Sequence, residues 1–512
     1  MLTDSIEKKP EPIWRESCQI EKFPALEEDK TTDVTIVGGG ITGITAAYEL
    51  TKKGYSVVVI DANELLNGTT GHTTAKITAQ HSLIYHELIQ HMGVPKARLY
   101  YESNRAVITY IQNIVKEHQI SCDFSPQDAI LWTEDESAIK KLRQEEEAYK
   151  QIGIEREWLD ELPLPVKSKG ALVMKNQAQF HPLAYLKVLL EQIVEQGGEI
   201  YEHTVAVDIE DTDNADHPKV LLKNGKKISS KYVLICSHFP FYDSGFYFSK
   251  LHADRSYVMA IKPKTPFPGG MYLNIDTPVR SIRETMHNGE KILLVGGESH
   301  QTGQGYDTEA YYTALEDFSE KTFGIDKIIS RWSAQDLISL DKLPYIGPIT
   351  RKKEKILIAT AYKKWGMTSG TLAAQLLTDY VTGNTNRSHE LYRPGRFYPD
   401  PSIKKFIQEN SDVAAHLTEG KIDSPEIGPG EVGKDEGMVV NVNGYRTGAY
   451  RDESGKLFLV DTTCTHMGCE VEWNSGDRTW DCPCHGSRFS HTGDVIEGPA
   501  IEPLAKRDSE KL

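Results

Sequence analysis

Four of the chain's seven cysteines fall between residues 464 and 484, in two short runs. The first reads Cys464-Thr465-His466-Met467-Gly468-Cys469; the second, after 12 intervening residues, reads Cys482-Pro483-Cys484-His485-Gly486-Ser487. Thiolates and imidazoles are metal ligands, and each run supplies a pair: Cys464 with His466, and Cys482 with His485. Two thiolates on one iron and two imidazoles on the other make a mixed-ligand [2Fe–2S] centre, whose potential lies well above that of an all-cysteine cluster. Zinc also takes two Cys and two His, but its usual spacing is CxxC with HxxxH rather than CxH and CxxH pairs. A bare disulfide staple is the third reading, one that a cytosolic chain seldom relies on.

A second constellation lies near the other end. Gly38, Gly40 and Gly43 form GxGxxG. The first glycine permits a tight turn, the second lets backbone approach a pyrophosphate, and the third lets helix and strand pack. A pyrophosphate would rest on the amides of the helix start. Asp61, 23 positions after Gly38, ends the next strand, where a carboxylate accepts ribose hydroxyls; an acidic residue there favours FAD or NAD over a phosphorylated ribose. No second cradle occurs in the 512 residues, which argues against a nicotinamide-dependent flavin reductase.

The elements that must position these groups follow from periodicity. Val34 to Val37 reads as a strand, Ile41 to Lys53 as an amphipathic helix and Val57 to Ile60 as a second strand, one βαβ unit. Helices are predicted over 85–120 and 137–152, then from Leu183 to Glu195 after His181-Pro182, with a strand from Val205 to Ile209. Val258 to Gly297 carries short β-prone runs broken by Pro and Gly, as an antiparallel sheet would. Strand Ile356 to Ala359 precedes a turn at Gly366 and a helix from Thr371 to Thr382. A polar, helix-prone stretch then leads into Pro- and Gly-rich chain, so 401–420 reads as a linker. The last 92 residues have the regular turns of a small all-β domain.

The cradle together with Gly68-Thr69-Thr70-Gly71-His72-Thr73-Thr74, His181-Pro182, Tyr232 to Ser237, Asp341 to Pro348 and Lys364 to Gly370 resembles the D-amino-acid-oxidase-like FAD-dependent oxidoreductases. That resemblance covers roughly 33–385 and implies a Rossmann-like FAD-binding domain interleaved with an α+β substrate domain. Expected FAD-binding segments are about 30–95, 170–245 and 330–385, and substrate segments about 96–169 and 246–329, within a unit of 1–400. It places Gly38, Gly40, Ile41, Thr42, Gly43 and Asp61 at the nucleotide and Thr69, Thr70 and His72 along the flavin. Val205 falls at the adenine, Ser237 nearby, and Gly366, Met367 and Thr368 at the isoalloxazine and ribityl end. In one branch a His in a GlyThrThrTrpHis-like motif is covalently flavinylated; here Gly71 replaces the Trp, and a hydrogen-bonding His72 is the competing reading.

The cysteine runs closely resemble the Rieske family in its cytochrome bc-type branch, giving a Rieske domain over 421–512. The resemblance implies Cys464, His466, Cys482 and His485 as iron ligands and a Cys469–Cys484 disulfide across the loops. It also implies a Ser487 hydroxyl that donates to a bridging sulfide. Phe489 stands where respiratory members commonly carry a donor Tyr, which predicts a lower potential. Gly498 to Ala500 matches the proline loop over the cluster.

A formal charge of −16, from 58 Lys and Arg against 74 Asp and Glu, excludes a dominant nucleic-acid surface. No run of 18 apolar residues offers a transmembrane segment, and the polar start has no signal-peptide core, so a cytoplasmic protein is expected. The resemblance implies hydride removal from the carbon beside an amine nitrogen to FAD, with a hydroxy acid as the variant substrate, and electrons are expected to leave singly through the cluster to an external one-electron acceptor. The reverse flow and a non-catalytic flavin and iron–sulfur module compete with it. No facial triad suggests an oxygenase. The substrate face is marked only by scattered candidates: Arg255, Tyr257, Tyr272, Arg283, His300 and Lys363. An Arg suits a substrate carboxylate because its fork binds two oxygens.

Overall fold

The computed structural model describes residues 11–211, 217–305, 307–396 and 427–507, together with 405–406, 410–411 and 413. The expected linker at 401–420 therefore lies largely outside the described residues. Three bodies of structure are present: two large mixed sheets sharing helices between them, and a pair of small antiparallel sheets after residue 427.

The first sheet grows from the predicted βαβ unit. Lys30–Val37 lies parallel to both Val57–Ile60 and Lys227–Ile235, and Lys353–Thr360 and Glu199–Tyr201 extend it in parallel on either side. The buried parts of the central strands, residues 34–37, 57–60, 233–235 and 356–358, are almost wholly Val, Ile and Leu because both faces are covered there. Helix Ile41–Lys52 packs on one face beside Gly366–Thr382, and these helices come close enough that a Cβ on Gly370 would sit 2.9 Å from Thr42 Oγ1. The latter helix starts five residues before its expected first residue, because Gly366 opens its first turn instead of forming a separate loop.

The second sheet has nine strands. Its long ribbon is Leu251–Pro263 between Glu290–Gln301 and Ile325–Ser339, all antiparallel as predicted for that region. Gly170–Gln179 and Ile325–Ser339 both belong to this sheet, although residues 170–179 and 330–339 were expected among the nucleotide-binding segments. Alternating apolar residues specify a half-buried strand, and nothing in that pattern says which of two sheets it joins. The predicted 85–120 helix is interrupted at Gly93 (φ +80°), giving Tyr85–Met92 and Val94–Glu117. A short N-terminal helix, Ile13–Ser17, lies over the body with Trp14 fully buried.

In the C-terminal domain Glu436–Val442, Tyr445–Arg451 and Leu457–Asp461 form one sheet, and Glu472–Asn474, Thr479–Asp481, Arg488–Ser490 and Val495–Glu497 the other. Among the described residues no helix is long and apolar enough to cross a membrane.

Candidate redox centres and the interface between them

The two cysteine runs fold into loops of matching geometry. Cys464 N–H donates to Cys469 O and Gly468 N–H to Cys464 O; Cys482 N–H donates to Ser487 O and Gly486 N–H to Cys482 O, all at 2.8 to 3.1 Å. Each closure requires a left-handed residue at the fifth position, and Gly468 and Gly486 both have φ +78°. The loops bring the Cys464 and Cys482 thiols into hydrogen-bonding contact. The His466 and His485 rings lie 5.0 Å apart at 87°.

The sulfurs of Cys469, Cys482 and Cys484 also approach within 4.8 Å, but Cys469 and Cys484 are joined as a disulfide with Cα atoms 6.5 Å apart. Their sulfurs are consumed, which leaves Cys464 and Cys482 as the thiolates. His485 Nδ1 is buried with no hydrogen-bond partner, an arrangement that costs free energy unless something occupies the nitrogen. A metal does so. Burial first, then the neighbouring His466, pushes the His485 imidazole down to about 4, so it is neutral and able to ligate. Two thiols, two neutral imidazoles and one orphaned donor fit a [2Fe–2S] cluster. The Ser487 hydroxyl contacts Cys464 and accepts from Ala500 N–H at 3.0 Å, so the 498–500 loop and the serine are fixed together. Replacing Ser487 by Ala should lower the cluster's midpoint potential by about 50 mV. One hydrogen bond of roughly 1 kcal/mol favouring the reduced form corresponds to about 40 to 60 mV in a one-electron couple, measurable by redox titration with the electron paramagnetic resonance (EPR) spectrum retained.

The nucleotide cradle is equally specific. A Cβ on Gly38 (φ +112°) would lie 2.4 Å from Cys236 O, and one on Gly43 2.0 Å from Gly38 O, so neither position admits a side chain. The N-cap of helix Ile41–Lys52 is Gly40, which brings no capping side chain, and its first turn has no acidic residue. The positive end of the helix is thus left for a ligand anion. The Thr70 hydroxyl accepts from Ile41 N–H at 3.0 Å, and the Thr42 and Tyr362 hydroxyls hydrogen-bond to each other at 2.9 Å. Asp61 accepts from the amides of Gly39 (2.7 Å) and Asn63 (2.9 Å); burial pushes its carboxyl up against these two bonds. These features fit a dinucleotide. Val205 O is taken by Lys223 N–H at 2.9 Å, and the Ser237 hydroxyl donates to Phe239 O at 2.8 Å. Gly366, Met367 and Thr368 form the first turn of their helix, with Thr368 Oγ1 donating to Thr78 O at 2.9 Å.

The Gly68 to Thr74 segment is tied down from three sides. Trp14 Nε1 donates to Thr73 O (2.7 Å), Trp332 Nε1 to His72 O (2.8 Å) and Thr69 Oγ1 to Gln335 O (3.0 Å). His72 Nδ1 sits 3.0 Å from Gly68 O. A carbonyl only accepts, so Nδ1 carries the proton and Nε2 the lone pair.

The six scattered candidates fall in three places. Arg255, fully buried, turns to the C-terminal domain: Nη2 meets Glu497 Oε2 at 2.9 Å, with Asp477 and Asp481 each at 3.7 Å. Its Nη1 and Nη2 are taken by Ser333 Oγ, Gln335 Oε1 and Glu497, and its Nε faces Asp481, so the fork is turned to the C-terminal domain rather than to a substrate. Tyr257 and His300 hydrogen-bond to each other at 3.0 Å in an aromatic stack with Tyr311 near the same interface. Lys363 lies apart, beside Lys342 and Lys364, its amine pulled to about 8 by burial.

Arg283 and the backbone of Tyr272, whose ring packs away against Phe267, border a residue that sequence reasoning missed, Lys76. Lys76 Nζ donates to Tyr272 O (2.9 Å) and Ser281 Oγ (2.7 Å). Burial, then the Arg283 charge, pushes its amine down to about 7. Arg283 is 1% exposed; its Nε has no partner and its Nη2 reaches only Phe180 O, at 3.5 Å. Among the described residues neither cation has a carboxylate within ion-pair distance. The available signal was a lysine inside the apolar run Ala75 to Ala79, since buried lysines without partners are rare.

Comparison with known proteins agrees with both centres. Residues 33–380 match the family model for FAD dependent oxidoreductases, and residues 426–507 that for the Rieske [2Fe-2S] domain. A Bacillus subtilis (strain 168) protein named as a Rieske 2Fe-2S iron-sulfur protein, YhfW, is 54% identical over 500 residues, 98% of each chain. Gamma-glutamylputrescine oxidoreductase of Escherichia coli (strain K12) is 24% identical over 71% of this chain and 87% of its own. Among solved structures, glycine oxidase from Geobacillus kaustophilus superposes with a TM-score of 0.61 at 18% identity, over 72% of this chain and 99% of that one. The chain belongs to the FAD dependent oxidoreductase family, with FAD as its cofactor, and carries a Rieske [2Fe-2S] domain on its C-terminal side.

Proposed function

We propose that the protein oxidises an amino-acid-type amine to the imine at the flavin and passes the electrons singly through the cluster to an external one-electron acceptor. We further read it as a cytoplasmic enzyme whose flavin and substrate segments alternate within residues 1–400 and whose Rieske domain spans 421–512. The observation that carries the substrate class is the buried pair Arg283 and Lys76, neither of which has a carboxylate within ion-pair distance among the described residues, Asp123 acting on Arg283 only from beyond it. Two cations buried side by side destabilise the chain unless an anion joins them, and a substrate carboxylate supplies that anion. Arg283 holds it by its fork and Lys76 as a point charge, which sets the amine-bearing carbon at a fixed distance from the sheet.

When bound, FAD would accept the hydride of the amine-bearing carbon's C–H bond, the nitrogen giving up a proton as the imine forms, and could release the two electrons singly to a cluster that carries one at a time. The glycine oxidase likeness in fold and the relative named as an oxidoreductase of gamma-glutamylputrescine support an amine-oxidising reading. The test is an anaerobic titration of the holoprotein with amino acids and with amines lacking a carboxylate. Amino acids should bleach the flavin and raise the reduced-cluster EPR signal together. Flavin bleaching with a cluster that stays oxidised over long incubation would sink the electron route. Equal response to amines without a carboxylate would sink the assigned role of Arg283 and Lys76.

A further inference from the structure

The cluster loop is pressed against the long ribbon of the second sheet. Gly486 lies so close that a Cβ would sit 2.6 Å from Ala253 Cβ and 2.8 Å from Gln335 Nε2, and one on Gly303 would sit 2.5 Å from Pro483 N. At this contact stands Gln335, 1% exposed, in the interior of strand Ile325–Ser339. Its Nε2 donates to Gly486 O at 3.0 Å. Its Oε1 accepts from Thr302 Oγ1 at 2.9 Å and lies 3.3 Å from Arg255 Nη2. Two donors on the oxygen and a carbonyl on the nitrogen fix the amide's orientation. Its backbone carbonyl accepts from Thr69 Oγ1, in the segment assigned to the flavin. Gly486 is flanked by His485, an iron ligand, and Ser487, whose hydroxyl contacts Cys464. A single residue thus joins the flavin-side segment to the cluster loop by one hydrogen bond at each end.

We propose that Gln335 is the positioning residue that sets the electronic coupling between flavin and cluster, an assignment that rests on electrons passing between the two centres. Each passage moves one electron from reduced flavin to oxidised cluster; no bond of the substrate breaks, and the cluster later hands that electron to the external one-electron acceptor. Gln335 neither gains nor loses charge. It holds the two segments at hydrogen-bonded contact, where a gap or an intervening water would weaken the coupling.

The test needs no amine substrate, which separates it from the assignment of the substrate class. In the holoprotein under anaerobic conditions, with EDTA present as the sacrificial electron donor, the flavin is photoreduced by a laser flash, and the return of its absorbance is followed together with cluster reduction. Gln335→Leu should slow that shared phase about tenfold while leaving both midpoint potentials and the EPR g-values unmoved. Gln335→Glu keeps the acceptor contacts and loses the donor to Gly486, and it should slow the same phase to a similar extent. A phase within about twofold of wild type in both variants would overturn the proposal. So would a potential shift large enough to explain the slowing, or a slowing seen only in Phe239→Leu, whose ring lies 6.0 Å from His466 and 6.3 Å from His485. If no shared phase exists in the wild type, the electron route itself fails instead.

Discussion

Replacing Arg283 by Met is expected to lower kcat/KM for carboxylate-bearing amines by about 10²-fold or more. Truncating one member of a buried, hydrogen-bonded charge pair costs roughly 2 to 5 kcal/mol, and about 2.7 kcal/mol is a hundredfold. Amines without a carboxylate should lose little, because they never used the fork. The companion measurement is the pH dependence of KM. Burial and the Arg283 charge hold the Lys76 amine near 7, so in the free enzyme it carries its proton below that pH and loses it above. A carboxylate binds the protonated form better. KM for an amino acid should therefore rise as pH passes upward through about 7, by at most about tenfold per pH unit. Burial pushes the Arg283 guanidinium toward about 9, leaving it charged across this range, so binding weakens without vanishing. In Lys76→Met the rise should disappear and KM should be high throughout. A pH-dependent KM that survives in Lys76→Met would reassign the titration to another group.

What the chain shows of itself before folding divides by distance along the sequence. Gly38, Gly40 and Gly43 and the two cysteine runs each complete their chemistry within a few residues, and the strand Val57–Ile60 has the predicted ends. Their constraints are steric and local: a Cβ that would strike Cys236 O, or a left-handed turn needed to close each loop. The site between the centres had no such signature. Arg255 and Glu497 are 242 positions apart, and a buried ion pair leaves no spacing pattern at that separation. Arg255 was legible as an arginine on a β-prone run, which suits a substrate carboxylate as well as a protein one. Gln335 and Lys76 are ordinary strand residues until the fold places them opposite Gly486 and Arg283. The six substrate-face candidates, marked by residue type alone, lie in separate places for the same reason, and only Arg283 among them stands beside Lys76.

Part of the C-terminal domain's charge is spent inside the protein: Asp477, Asp481 and Glu497 point inward and hold Arg255 together with Arg488. Those charges fix the domain rather than recruit a partner. An external acceptor would have to be met by other surfaces, such as the cluster-side loops carrying the half-exposed Met467 and the outward Phe246.

Replacing Arg255 by Met should loosen the Rieske domain from the flavin-bearing body by roughly 3 to 5 kcal/mol, the cost of leaving buried charges uncompensated. Arg255 is 0% exposed and Arg488 would remain alone among three carboxylates. Neighbouring bonds across the same interface, Thr308 Oγ1 to Asn474 Oδ1 at 2.6 Å and Tyr312 Oη to Asp477 Oδ1 at 3.1 Å, should leave the attachment weakened rather than lost, and the domain's own two sheets are untouched by the substitution. Calorimetry of the variant should then split into two transitions, with hydrogen exchange accelerating along strands Leu251–Pro263 and Ile325–Ser339. The pH dependence has a definite sign. Burial pushes the Glu497 carboxyl up, but Arg255 and Arg488 more than offset it, leaving it at about 2. A carboxyl held below its unfolded value of about 4.3 contributes its full stability above that pH and loses it as pH falls toward 2. Wild-type attachment should therefore persist through pH 4, whereas Arg255→Met, whose Glu497 keeps only Arg488, should begin to detach at higher pH. Substrate-driven flavin bleaching should survive the substitution, and cluster reduction should slow with the loss of contact. A single calorimetric transition at the wild-type temperature, with unchanged cluster reduction, would show that Arg255 does not hold the two centres together.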